Sequence, residues 1–157
     1  MRHKRMSQRF CTESFGRALL AMAAGLAASA SASAATTVNV ALMDPSTDGS
    51  VQGMKMTATP DTVKAGVVTF QDINQSKGLV HEMILIRKPA DGKQLPYDDK
   101  EQKVIEEKIK SLGEVSELDP GKSGKLTVTL SPGNYLLICN QASHYMSGMS
   151  TSFTVTP

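Results

Sequence analysis

Near the end of the 157-residue chain, the stretch Cys139-Asn140-Gln141-Ala142-Ser143-His144-Tyr145-Met146-Ser147-Gly148-Met149 places a thiol, an imidazole and two thioethers within eleven residues. The spacing is Cys-x4-His-x4-Met, and a second histidine, His81, stands 63 residues before His144. One thiolate, two imidazoles and a weak thioether make the donor set of a trigonal copper site with a long axial sulfur. Soft sulfur suits Cu(I) and imidazole tolerates both oxidation states, so a constrained site of this kind moves little when an electron arrives. Other chemistries fit less well. A Cys/His nucleophilic pair is activated by proximity, but it uses neither a second histidine nor a downstream methionine. Zinc takes Cys and His readily, whereas thioether is a poor ligand for it. Taken singly, Cys139 reads as a small buried hydrophobe, His81 as a strand-end residue and Met149 as core. Their joint arrangement favours one site.

The amino-terminal residues sharpen the inventory. Met1 to Arg17 carries Arg2, Lys4, Arg5, Arg9 and Arg17 against Glu13, and the apolar run ALLAMAAGLAASA follows from Ala18 to Ala30. Ala32-Ser33-Ala34 is a small-x-small pattern suited to a signal peptidase, so residues 1–34 read as a secretory signal peptide. The apolar run is short for a bilayer-spanning helix of about 20 residues. Removing 34 of the 157 residues leaves 123, the size of one domain, residues 35–157. The leader holds five of the 17 basic residues and one of the 15 acidic ones, so the remainder is net −2 and not basic. A nucleic-acid role therefore has no support in the charge. Cys11 and His3 leave with the leader. Cys139, His81 and His144 are then the only thiol and imidazoles, and a lone thiol in an exported chain has no internal disulfide partner.

The elements that must position these groups read as short strands. Apolar alternation or β-branched runs occur at Thr37–Met43, Val63–Ile73, Leu79–Arg87, Lys125–Leu130, Asn134–Cys139 and Thr151–Thr156. Asp44-Pro45 and Asp48-Gly49 interrupt the chain after the first run, and Ser131-Pro132-Gly133-Asn134 predicts a type II turn joining two strands tightly. Frequent turns without βα alternation predict an all-β, antiparallel sandwich. One segment departs from this. Asp98 to Gly113 has an N-cap at Asp98, Glu101 three residues on, and Val104, Ile105, Ile109 and Leu112 on one stripe. It predicts one short inserted helix, ended by Gly113 and lying solvated on the sandwich.

The motifs VHEMILI around His81 and PGNYLLICNQASHYMSGMSTSFTV from Pro132 to Val155 resemble those of the cupredoxins, small blue copper proteins, in the rusticyanin and sulfocyanin-like branch. The resemblance runs from about Thr37 to Pro157. It implies a Greek-key β-sandwich of eight strands holding one copper ion and passing single electrons between redox protein partners, without enzymatic activity. Carried over by position, His81, Cys139 and His144 are the equatorial ligands and Met149 the axial one. Tyr135 matches the family's tyrosine corner, whose hydroxyl ties a loop to backbone. Two positions depart from the pattern. Ala142-Ser143 stands where related loops often have Pro-Gly, so the loop lacks a fixed φ. Glu82 follows the first histidine where plastocyanin and azurin have Asn; ionised near copper it favours Cu(II), and facing solvent it does little. The implied protein is periplasmic and monomeric, with Ala142, Tyr145 and Met146 framing the ring edge of His144 as a docking patch. An alternative is a copper chaperone or storage protein, in which Met54 and Met56 add a Cu(I) site.

Overall fold

The computed structural model describes residues 35–44, 53–90 and 92–157; the expected signal peptide, residues 1–34, lies outside the described residues. Eleven strands form among them: β1 (Thr36–Met43), β2 (Lys55–Thr59), β3 (Thr62–Lys64), β4 (Gly66–Asn74), β5 (His81–Arg87), β6 (Tyr97–Asp98), β7 (Lys103–Val104), β8 (Ser111–Leu118), β9 (Ser123–Leu130), β10 (Gly133–Ile138) and β11 (Ser150–Thr156). Two sheets face each other. The first runs β2-β1-β4-β9 and the second β3-β11-β10-β5-β8, with β6 and β7 as a separate ribbon. Pairing is mostly antiparallel, but β1 joins β4 and β11 joins β3 in parallel. Consecutive strands β8, β9 and β10 step from the second sheet to the first and back, the crossed connectivity of a Greek-key sandwich. Among the described residues no helix is long and apolar enough to cross a membrane.

The alternation of side chains builds the core. In β1, Val38, Val40 and Leu42 are buried while their neighbours are more open; in β4, Val68 and Phe70 do the same. They meet Met83, Leu85, Tyr135, Leu137, Phe153 and Val155 from the second sheet, and Phe70 packs edge-on to Phe153 at 5.1 Å. Strand β5 is buried on both faces. Met83 and Leu85 enter the main core, and Ile84 and Ile86 enter a second one with Ile138, Leu95 and Val104. Its continuous apolar run is the mark of such a doubly covered strand. Met54 and Met56 are also core residues, at 4% and 3% exposure. The proposed Cu(I) pair on a strand face is therefore not available.

Three local expectations change. The predicted helix over Asp98–Gly113 does not form. Asp98 does cap, its Oδ1 accepting the Lys100 and Glu101 N–H groups at 2.8 and 3.2 Å, but what it caps is the turn between β6 and β7. A single 3-10 turn, Glu106–Lys108, is the only helical turn in this segment, and β8 follows. The apolar stripe divides instead: Val104 and Ile109 pack in the second core, and Leu112 against the main one. The run Val63–Ile73 splits at Ala65, whose N–H donates to Thr156, so that β3 and β4 belong to different sheets. The Ser131–Asn134 turn likewise joins strands in different sheets. Gly133 sits there at φ +154°, and a Cβ on it would lie 2.7 Å from Arg87 Nη1.

Candidate metal centre

The site forms where three neighbouring strands end together. Strand β10 pairs with both β5 and β11, with Ile138 opposite Ile84 on one side and Ser150 on the other. His81 opens β5, Cys139 follows β10 and Met149 precedes β11. The β10–β11 ladder extends one step further, as the Cys139 N–H donates to the Met149 carbonyl at 3.0 Å. Between them the loop coils: His144 N–H donates to Gln141 O, Ser147 N–H to Ser143 O, Gly148 N–H to Tyr145 O and Met149 N–H to His144 O. Coiling returns Met149 to the start of the loop and turns His144 inward.

The result is a dry cluster of donors. One ligand atom from each of His81, Cys139 and His144 lies within 4.8 Å of the others, and all three residues are buried. The two Nδ1 atoms face each other at 3.2 Å, and Cys139 Sγ lies 3.3 Å from His144 Nδ1. Donors about 2.0–2.3 Å from one ion, about 120° apart in a trigonal plane, are separated by about 3.5–4.0 Å. The spacings of 3.2 and 3.3 Å fall a few tenths of an ångström inside that range, so a small outward shift of the side chains lets the three residues hold a single ion. The Met149 side chain is fully buried in the main core with Cys139, and its backbone bonds to both Cys139 and His144.

Electrostatics suit metal binding. Burial pushes the His81 imidazole down to about 4, with His144 adding to the effect and Asp44 opposing it. Burial also lowers His144, again against Asp44. Both rings are thus neutral at pH 7, with lone pairs to offer. Burial raises the Cys139 thiol to about 11, opposed by the backbone N–H groups of Glu82 and Gln141. Such a thiol does not ionise unaided. A metal ion must displace its proton, and the Cys/His nucleophile reading loses its thiolate.

The surroundings answer several sequence questions. Glu82 is buried at 8% exposure; its N–H points at Cys139 Sγ at 3.4 Å, and its Oε1 accepts the Asn140 N–H at 3.0 Å. Burial raises its carboxyl, and Glu106 and Glu117 add to this. Glu82 therefore lies beside the site and out of solvent, its backbone N–H on the Cys139 sulfur and its carboxylate on the Asn140 backbone. Met146 is 54% exposed and Ala142 is exposed, but Tyr145 packs against the second core and leaves the expected surface patch. Tyr135 does form the corner, its hydroxyl donating to the Ser131 carbonyl at 2.6 Å. Two residues went unnoticed in the sequence. Asp44 reads there only as a turn residue, yet its charge reaches both imidazoles. Asn140 carries no motif, and it proves to be a hub of buried hydrogen bonds.

No protein-family model matches the chain. A stretch of 41 residues is 49% identical to Auracyanin-B of Chloroflexus aurantiacus, covering 26% of this chain and 17% of that protein. Among solved structures, auracyanin A, described as a "blue" copper protein from the same species, is 21% identical, with 77% of this chain and 98% of that one covered at a TM-score of 0.52. Rusticyanin from Thiobacillus ferrooxidans is 20% identical over 76% of each chain, at a TM-score of 0.56. The two-sheet sandwich is shared with these proteins. The chain has the cupredoxin fold.

Proposed function

We propose that the protein is an exported type 1 copper protein that carries single electrons between redox partners. The carrying observation is the convergence of two imidazole nitrogens and one thiol sulfur within 4.8 Å in a buried site. In this reading His81, Cys139 and His144 would hold the copper, with Met149 as a weaker thioether donor. Bound copper supplies a one-electron Cu(I)/Cu(II) couple. The chain's own groups do the rest. Cys139 gives up its proton to become the strong sulfur donor, and the neutral rings of His81 and His144 stay oriented by β5 and by the coiled loop. Burial excludes water that would otherwise add ligands. His144 is 5% exposed and lies beside exposed Ala142 and Met146, which makes its ring edge the proposed exit for the electron. Redox proteins are the proposed partners, with the protein acting as a periplasmic monomer. A chaperone or storage role has less support, because Met54 and Met56 are committed to the core.

Addition of Cu(II) to the protein is expected to give an intense visible thiolate-to-copper band and a narrow copper hyperfine splitting in EPR. Cys139→Ser is expected to abolish both. A colourless, ordinary tetragonal Cu(II) spectrum from the intact protein would rule out the proposal.

A further inference from the structure

The loop from Cys139 to Met149 meets the connection between β5 and β8 at three places, although some forty residues separate them in sequence. The Asn140 side chain accepts the Val104 N–H at 2.6 Å, and its amide donates to Val104 O at 3.0 Å and to Glu106 Oε1 at 2.8 Å. The Ser143 N–H donates to the Gln102 carbonyl at 2.8 Å, and the Ser143 hydroxyl to Gln102 Oε1 at 2.6 Å. Gln94 Nε2 donates to Met146 Sδ at 2.8 Å. The first two contacts bracket the donors. Asn140 follows Cys139 directly, and Ser143 directly precedes His144.

The backbone at the second contact is not one that either residue prefers. Ser143 has φ +70° and Gln102 φ +56°, both in the left-handed region where a Cβ is disfavoured. Each is held there with the other as partner. The connection is itself anchored, because Leu95 and Val104 are buried against Ile84, Ile86 and Ile138. Those are residues of β5 and β10, the strands that lead to His81 and Cys139. The connection is thus a strap, fastened by its apolar side to the strands and by its polar edge to the loop.

We propose that Asn140 and Gln102 are positioning residues, holding Cys139 and His144 at metal-binding separation before an ion arrives. The proposal rests on the copper reading above. A loop ordered in advance does not lose conformational freedom on binding, and its ligands stay in place as the charge on the ion changes. Asn140, at 1% exposure, contributes more than exposed Gln102, since buried groups left unpaired cost more than solvated ones.

Four proteins test this: wild type, Asn140→Ala, Gln102→Ala and Val68→Ala, a control that weakens the main core from the opposite sheet. Amide hydrogen exchange is read by NMR on the metal-free proteins, and the visible band and reduction potential on the copper forms. After correction for global stability, the Ser143 and His144 amides of Asn140→Ala are expected to exchange about tenfold faster than in Val68→Ala, the size of one lost buried hydrogen bond. In Gln102→Ala the increase is about threefold, so the test survives if Asn140→Ala does not fold. The band and the potential shift in both strap variants and stay put in the control. Loop amides that exchange alike in strap variants and control overturn the strap. Faster exchange in the strap variants, with no thiolate-to-copper band even in wild type, upholds the strap and overturns the copper reading.

Discussion

At the scale of single residues, the two methionines of the loop separate cleanly. Met149 is fully buried beside Cys139 and bonded through its backbone to both Cys139 and His144, whereas Met146 is 54% exposed and takes a hydrogen bond from Gln94. Losing a fourth donor, even a weak one, costs the more highly charged Cu(II) more than Cu(I), so removing it raises the potential. Met149→Leu, close to volume-conserving in the core, is expected to keep copper bound and raise the reduction potential in voltammetry. About 60 mV corresponds to each tenfold change in relative affinity for the two oxidation states. Met146→Leu is expected to leave the potential within a few millivolts of wild type on the same scale. The opposite ranking would show that Met149 is not the axial ligand.

Among the elements, the passage from β9 to β10 carries the chain from one sheet to the other just ahead of the strand that leads to Cys139. Two groups hold it there. The Tyr135 hydroxyl reaches back to Ser131, and the Arg87 guanidinium lies over the Tyr135 ring at 5.2 Å. Tyr135 is 1% exposed, so its hydroxyl has no water to fall back on. Tyr135→Phe leaves the ring in place and removes one hydrogen bond, at a cost of about 1–2 kcal/mol. Denaturant titration should show that loss as a lower midpoint with unchanged slope. The copper band should not move, since the corner lies at the start of β10 and Cys139 beyond its end. A shifted band would mean that the corner positions the site as well as the strand.

For the molecule as a whole, the odd feature is Asp72. It points inward from β4, opposite Val40 and Gly124, and among the described residues neither carboxyl oxygen has a hydrogen-bond partner. Burial raises it from 3.8 to about 7. The folded protein thus holds a proton that the unfolded chain releases above pH 4. Stability from this group is fully present below about pH 4 and is lost as pH rises to about 7, by at most about 4 kcal/mol. Asp72→Asn removes that dependence. Unfolding midpoints measured at pH 5 and pH 8 should fall further in wild type than in the variant, and equal changes would show that Asp72 is paired or hydrated in solution.

What could be read from the sequence was whatever depends on residue type and near spacing. Cys139, His144 and Met149 lie on one loop between alternating strands, and β5 announces itself as an unbroken apolar run, so the candidate donors and the sandwich were legible in one dimension. Tyr135 was legible for the same reason, because its partner is four residues away. Long-range competition decided the rest. Asp98–Gly113 has good helical periodicity, but two separate cores claim its apolar residues and Asn140 takes the peptide groups of Val104, so packing overrides a local preference. Which sheet receives β3, β4, β9 or β10 depends on partners distant in the chain. The Glu82 N–H on the Cys139 sulfur, the Asp44 charge reaching two imidazoles, and Asn140 and Gln102 fastening the loop are juxtapositions made by strand ends meeting in space. Donor type is a property of the residues; the donors' separation, burial and restraint exist only once the sheets have closed.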